Sequence, residues 1–180
     1  MASIITATTT SGLTQSADNS GVLQLASGTG NLVTVPSVTG TAMVSGNMPA
    51  FGAYNSSATS LGSGTYTKVL FATEEFDTNN NFASSRFTPT VAGYYQLNAA
   101  VSIAGGGGAT EIIPAIYKNG SQFKAGNDGG TASFRATVSA LVYANGSTDY
   151  FEIYCYSGAA RTTEATDSGT YFNGAMVRSA

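Results

Sequence analysis

Apolar and polar residues alternate with a period of two along several segments, and this pattern constrains the fold more than any other feature. From position 94 to 103 the sequence YYQLNAAVSI directs alternate side chains to opposite sides of an extended backbone. The alternation recurs in FRATVSALV (134–142) and FEIYC (151–155). Because a period of two indicates strands with one buried face, we expect antiparallel β-structure and no helical domain.

Two Asn-Gly pairs stand between apolar runs, at Asn119–Gly120 and Asn145–Gly146. Both residues of such a pair accept positive φ angles, which a tight β-hairpin turn requires. We therefore predict a hairpin at each pair and an all-β sandwich of about eight to ten strands. The core of this sandwich is predicted to contain the following residues: Phe51, Phe87, Tyr95, Leu97, Phe151, Ile153, Cys155 and Phe172.

Charged and aromatic residues are distributed unevenly, which indicates two parts of different character. Asp18 is the only charged residue before Lys68, and no Phe or Tyr precedes Phe51. We predict an N-terminal attachment segment of residues 1–48 and a globular head of residues 49–180.

The N-terminal segment contains short apolar stretches between glycines that are nine or ten residues apart. Such spacing is typical of β-strands with small-residue turns, but strands this short and weakly apolar cannot form their own core. Stacking on sister chains or on another protein would bury them; the alternative is a flexible Ser/Thr/Gly linker. The residues predicted to form the buried anchor are Val22, Leu25, Val33 and Val35.

The composition excludes several classes of function. The chain has 7 Lys and Arg residues, 10 Asp and Glu residues and no His, for a net charge of −3. No basic stripe is present to neutralise nucleic-acid phosphates, and no apolar run is long enough for a membrane-spanning helix. Without His and with one Cys, the usual zinc sites and His-activated nucleophiles are excluded. We therefore expect no cofactor, no metal ion, no nucleic-acid partner and no membrane insertion.

The densest charge is the acidic cluster of Glu74, Glu75 and Asp77. It could bind calcium or supply a carboxylate pair for glycoside hydrolysis. The cluster lacks the regular ligand spacing and glycine turn of a calcium loop, so a solvated strand end is favoured. The Gly105–Gly108 run lacks a following Lys-Ser or Lys-Thr pair and is predicted to be a loop rather than a phosphate site.

The aromatic strand from Tyr150 to Tyr156 is a candidate binding surface. Its outward rings could stack on a sugar, or could equally form a surface between subunits. Cys155 belongs to the apolar alternation of this strand and has no His to activate it, so we predict a buried and unreactive thiol.

Four short motifs follow one another over residues 49–177: PAFGAY (49–54), RFTP followed by AGYYQL (86–97), IYKNG (116–120) and YFNG (171–174). Together they resemble the C1q/TNF-like jelly-roll family, with Leu97 where that family usually has an aromatic residue. The resemblance implies a compact homotrimer whose N-terminal segments are bundled at one end. The chain departs from the family pattern because its N-terminal segment has no collagen-like repeat.

The N-terminal segment contains SGLTQSAD (11–18), GVLQL (21–25), VTVP (33–36) and TGT (39–41) in this order. These phrases resemble the N-terminal stretches of bacteriophage tail-fibre and virion surface proteins. The resemblance implies a stem that binds other virion proteins. The first ten residues also lack the features of a signal peptide, which is expected for a protein that assembles into virions in the host cytoplasm.

Both resemblances together imply a non-enzymatic virion structural protein, a trimeric surface knob anchored by residues 1–48. Forty-eight residues span at most about 160 Å when fully extended, which is short for a fibre and favours decoration of the capsid exterior. The alternative is a short tail fibre or adhesin whose head binds a host surface polysaccharide.

Overall fold

The computed structural model of the protein describes residues 23–26, 32–35, 46, 48–105, 111–128 and 135–180. The chain divides into two compact units, Met1–Thr41 and Ala42–Ala180. That residues 1–48 and 49–180 have separate functions stays a prediction.

The first unit contains an antiparallel pair of strands, β1 (Leu23–Ala26) and β2 (Leu32–Val35). Both strands lie in stretches that the sequence predicts to be extended. Leu25 is opposite Val33, and Leu23 is opposite Val35. Three of the four predicted anchor residues therefore lie in this sheet, and the fourth, Val22, lies outside the described residues.

The second unit contains thirteen strands in its described residues: β3 (Ala50–Tyr54), β4 (Ser60–Leu61), β5 (Thr65–Lys68), β6 (Thr73–Asp77), β7 (Phe82–Ala83), β8 (Arg86–Phe87), β9 (Gly93–Ser102), β10 (Ile112–Lys118), β11 (Ser121–Ala125), β12 (Arg135–Ala144), β13 (Phe151–Ser157), β14 (Arg161–Thr162) and β15 (Tyr171–Ser179). Nine of these strands have four or more residues. A helix that could span a bilayer is not found in the part of the chain that the structure describes.

The strands form a sandwich of two antiparallel sheets. The five-stranded sheet has the order β12-β9-β15-β3-β6. The six-stranded sheet has the order β11-β10-β13-β8-β7, and β5 also pairs with β13. A small additional sheet pairs β14 with β4. This architecture confirms the predicted all-β antiparallel sandwich.

The core lies between the two sheets and is dominated by aromatic rings. Phe51 of the five-stranded sheet stacks on Phe87 of the six-stranded sheet, with 4.3 Å between ring centroids. Phe172 approaches Phe51 edge-on at 4.8 Å. The structure places every predicted core residue here with 0% exposure: Phe51, Phe87, Tyr95, Leu97, Phe151, Ile153, Cys155 and Phe172.

The first Asn-Gly pair forms the predicted hairpin. Asn119 and Gly120 have φ angles of 53° and 80° and join β10 to β11, so that Lys118 is opposite Ser121. Positive φ at both positions gives the turn the twist that the flanking strands need. The hairpin prediction at this pair is confirmed.

The hairpin prediction at Asn145–Gly146 was wrong, because the flanking strands β12 and β13 lie in opposite sheets. The pair begins a connection that crosses from one sheet to the other. The Asn145 Oδ1 atom accepts hydrogen bonds from three backbone N–H groups, those of Ser147, Thr148 and Asp149. Gly146 has a φ of 72°, and a Cβ there would lie 2.4 Å from the Ala92 nitrogen. The pair thus makes a tight turn, but the following strand joins other partners.

Cys155 should be unreactive in the native protein. Its burial raises the pKa of the thiol to about 12, so the thiolate fraction at neutral pH is about a thousandfold or more below that of an ordinary cysteine with a pKa of about 8.5. We expect a thiol reagent to label Cys155 slowly in buffer and rapidly in denaturing urea, measured by mass spectrometry. Cys155→Ala serves as the control for labelling at other groups. Fast labelling of the folded protein would contradict the buried position.

Candidate functional site

The outer side of the six-stranded sheet carries a cluster of four half-buried tyrosines, here called the tyrosine face: Tyr66, Tyr117, Tyr154 and Tyr156. Tyr117 and Tyr154 stack with ring centroids 4.0 Å apart and planes 23° apart. The ring centroid of Tyr66 lies 5.9 Å from that of Tyr117 and 5.6 Å from that of Tyr156. The rings come from β5, β10 and β13, so the sheet pairing assembles a continuous aromatic surface.

A cluster of three charged side chains borders the tyrosine face. Glu152 lies on β13 directly opposite Tyr117 and is 2% exposed. Its Oε1 atom accepts hydrogen bonds from Lys68 Nζ at 2.7 Å and from Arg86 Nε at 2.9 Å. The Arg86 guanidinium lies over the ring of Tyr150, 3.8 Å from its centroid. These contacts fix Arg86 in position at the edge of the aromatic surface.

The cluster determines the protonation of Glu152. Burial alone would raise the pKa of this carboxyl, but the hydrogen bonds and positive charges of Lys68 and Arg86 outweigh burial and lower the pKa below its ordinary value. Glu152 is therefore ionised at neutral pH. Two cations and one carboxylate leave the cluster with a net charge of +1, in a chain whose net charge is −3.

The hydroxyls of Tyr117 and Tyr154 stay protonated at neutral pH. Burial raises the pKa of Tyr117, and the neighbouring Tyr66 and Tyr154 add to this shift. Burial also raises the pKa of Tyr154, with a further contribution from the negative charge of Glu152. Both groups can therefore donate a hydrogen bond as well as accept one.

Sequence reasoning found only part of this surface. It indicated the strand from Tyr150 to Tyr156. It did not indicate Tyr66, Tyr117 or the charged cluster. One signal was present: Glu152 is the single charged residue among the aromatic residues of its strand. The partners of Glu152 could not be predicted from the sequence, because Lys68 is 84 residues away in the chain and Arg86 is 66 residues away.

The acidic cluster is divided by the structure. Glu74 and Glu75 are exposed on β6, a strand at the edge of the five-stranded sheet. Asp77 stabilises the next turn instead: its Oδ2 atom accepts a hydrogen bond from the Phe82 backbone N–H at 2.7 Å. No group of three or more His, Cys, Asp or Glu side chains in the described ranges is arranged to hold a metal ion. Of the glycine run, Gly105 follows β9 with a φ of 83°, and residues 106–108 lie outside the description.

Two loop asparagines that could contact a sugar are used by the fold itself. Asn119 Nδ2 donates to Asp149 Oδ1 at 2.7 Å, and Asn119 Oδ1 accepts from the Tyr150 backbone N–H at 2.9 Å. Asn145 is occupied by the backbone of its own turn. These side chains therefore position Tyr150 and the sheet crossing.

A second surface, here called the uncharged face, lies on the outer side of the five-stranded sheet along β12, β9 and β15. The charged residues of these three strands, Arg135 and Arg178, lie near the strand ends, and Arg178 is opposite Tyr94. Residues 93–102, 136–144 and 171–177 of its three neighbouring strands include no charged residue. Its middle is a hydrogen-bonded polar network of Gln96, Asn98, Ser139 and Asn173. Large apolar side chains surround this network and are 41% to 55% exposed: Tyr94, Leu141, Tyr143 and Val177.

Comparison with known proteins gives the fold class. No family model matches the chain, and no curated protein has a significant match to its sequence. Solved structures do match. The globular domain of zebrafish complement 1qA is 17% identical, with a TM-score of 0.53, over 73% of this chain and 98% of that chain. Murine APRIL at pH 8.5 is 10% identical, with a TM-score of 0.54, over 72% of this chain and 99% of that chain.

The Eiger TNF from S. frugiperda is 7% identical, with a TM-score of 0.50, over 74% of this chain and 93% of that chain. Identities this low establish the fold alone. The protein has a C1q/TNF-like jelly-roll fold, which confirms the fold that the four sequence motifs implied.

Glu152→Gln should destabilise the head at neutral pH and not in acid. The folded pKa of Glu152 is below the unfolded value of about 4.3, so its stabilisation is complete above that value and is lost as pH falls through the folded pKa. We expect the substitution to lower the free energy of unfolding by about 1.5–3 kcal/mol at pH 7, as for a hydrogen bond to a charged group. Urea unfolding at pH 7 and below pH 3 measures the difference.

The matched control for this experiment is Glu74→Gln, which removes an exposed carboxylate from an edge strand. It should change the unfolding free energy by less than about 0.5 kcal/mol at either pH. Equal losses from both substitutions, or a Glu152→Gln loss that does not decrease in acid, would show that the charged cluster does not stabilise the fold.

Proposed function

We propose that this protein is a non-enzymatic structural protein of a bacteriophage virion, a homotrimeric surface knob that decorates the capsid exterior. The uncharged face is the observation that carries the assembly. The virion location is supported by the resemblance of the N-terminal segment to phage virion proteins, and residues 1–48 act as the anchor.

The uncharged face has the properties of a surface that meets copies of itself. The network has a border of exposed apolar side chains, and contact between such a patch and water is unfavourable. The border consists of Tyr94, Leu141, Tyr143 and Val177. The side chains of the polar network in the middle are hydrogen-bonded to one another, which lowers the cost of covering them. Because these strand segments carry no charge, association through them does not incur the penalty of desolvating an ion. The resemblance to the C1q/TNF-like family implies that three copies meet.

The β1–β2 sheet supports an anchor in the N-terminal segment. In the described residues this sheet has two strands. A sheet of only two strands is at best marginally stable in water. The outer edges of such a sheet can pair with strands of another chain. Sister chains or a virion protein would supply those strands and cover the apolar positions Leu25, Val33 and Val35.

A second candidate function is a short tail fibre or adhesin whose head binds a host surface polysaccharide. The tyrosine face favours it, because the surface opposite the proposed trimer contact carries half-exposed aromatic rings. This candidate shares the trimer and the anchor with the first and differs in where the protein sits and what the head contacts.

The full chain should be a trimer held by the uncharged face. Light scattering is expected to give three times the chain mass of 18.2 kDa. Leu141→Asp introduces a charge that would be buried at the contact. The substitution should therefore raise the dissociation constant of the trimer at least tenfold, which corresponds to about 1.4 kcal/mol. Phe123→Asp on the edge strand β11 is the matched control and should stay trimeric. A wild-type monomer at micromolar concentration, or an unaffected Leu141→Asp trimer, would contradict the proposed assembly.

Removing residues 1–48 should separate attachment from folding. The truncated head is expected to fold and form trimers but not to bind particles that lack the protein, whereas the full chain rebinds them. Quantitative gel analysis of purified particles measures occupancy, and antibody labelling of intact virions shows whether the protein lies on the capsid or the tail. Normal occupancy by the truncated head would place the anchor in residues 49–180.

A further inference from the structure

We propose that the tyrosine face is a binding site for an acidic polysaccharide. Tyr66, Tyr117 and Tyr154 would pack against sugar rings, and Arg86 would bind a sugar carboxylate. This inference rests on the second candidate function, the adhesin, and names the ligand class and the residues of its head. It does not depend on the trimer contact or on the anchor.

The rings of the tyrosine face are held by one another before a ligand binds. The 4.0 Å stacking of Tyr117 and Tyr154, with Tyr66 packed beside them, restricts ring motion before a ligand binds. Rigid tyrosines lose little conformational entropy on binding and offer a large amphipathic area. The C–H groups of a pyranose ring can pack against the ring edges and the ring faces that this stacking leaves uncovered, while the sugar hydroxyls remain at the periphery.

The tyrosine hydroxyls are available for those sugar hydroxyls. Within the described residues, the hydroxyls of Tyr66, Tyr117, Tyr154 and Tyr156 make no hydrogen bond to the protein. The raised pKa values of Tyr117 and Tyr154 keep both groups protonated. Each can donate to one sugar hydroxyl and accept from another.

The charge beside the rings favours an acidic sugar over a neutral one. Arg86 uses Nε for Glu152, is held over Tyr150 and has a side chain that is 43% exposed. In the described part of the chain its two terminal nitrogens make no hydrogen bond to the protein. A guanidinium fixed in this way can bind a carboxylate through parallel N–H bonds. The net charge of +1 at the cluster complements an anion.

The position of the rings within the sheet favours a sugar over an acidic peptide. Strands β10 and β13, which carry Tyr117 and Tyr154, each pair with neighbouring strands on both sides. Their backbone groups are therefore unavailable for the strand addition by which extended peptides commonly bind sheets. Side-chain rings and hydroxyls are therefore what β10 and β13 offer to a ligand.

Titration of the full-length protein with three probes tests this inference: oligogalacturonate, a neutral galactose oligomer of equal length, and polyglutamate. Because the chain has 10 Tyr and no Trp, intrinsic fluorescence reports directly on tyrosines, and calorimetry supplies the affinity. We expect oligogalacturonate to bind more tightly than the neutral oligomer and polyglutamate not to bind. Added salt should weaken the acidic probe more than the neutral one.

Two variants and a control divide the site into its parts. Arg86→Gln should weaken oligogalacturonate about 10- to 100-fold and leave the neutral oligomer unchanged. Tyr66→Ser should weaken the binding of both oligomers about 2- to 10-fold. Lys124→Gln removes an equal charge from the exposed strand β11 and should change neither affinity. Circular dichroism first establishes that each variant is folded.

Failure of this inference is distinguishable from failure of the proposed function. A trimer that occupies virions but binds neither sugar would overturn the inference and leave the structural function intact. Equal binding of acidic and neutral oligomers, or no effect of Arg86→Gln in a folded protein, would overturn the role of Arg86. Tight binding of polyglutamate would overturn the assignment to carbohydrate.

Discussion

Phe51 joins the two sheets, and both candidate surfaces depend on the contact that it makes. Its ring stacks on Phe87 and Phe82 of the six-stranded sheet and meets Phe172 of its own sheet. Because strand side chains alternate, burying these rings between the sheets directs the remaining residues of each strand outward. The tyrosine face and the uncharged face are therefore the two outer sides of one aromatic core.

Three ion pairs of the head lie beside the six-stranded sheet. Lys68, Arg86 and Glu152 interact beside the tyrosine face, and Lys118 pairs with Asp149 next to the turn that precedes Tyr150. In the other sheet, residues 93–102, 136–144 and 171–177 include no charged residue, and Arg135 and Arg178 lie near the ends of their strands. The five-stranded sheet can thus cover its outer side by association. The six-stranded sheet keeps a polar surface with charged groups, which is compatible with binding a ligand in water.

The candidate site shows where inference from sequence ends. The alternation in residues 150–156 correctly separates inward Phe151, Ile153 and Cys155 from outward tyrosines, because a period of two requires no knowledge of neighbours. Strand partners are a different matter. An Asn-Gly pair favours a tight turn at 119 and at 145 alike, but only the first joins two strands of the same sheet. The turn residues determine local φ angles, not the sheet that the next strand joins.

The fold class, the β-structure of residues 94–103 and 151–155 and the eight core side chains follow from the sequence itself, because alternation, aromatic content and turn residues are local properties. The charged cluster and the tyrosine face were decided by tertiary structure. Glu152 stands between Phe151 and Ile153 in the sequence. Its burial nevertheless requires Lys68 and Arg86, which β5 and β8 bring beside β13 from distant parts of the chain. An outward position in a strand is exposed by default, and only the neighbouring strands determine what covers it.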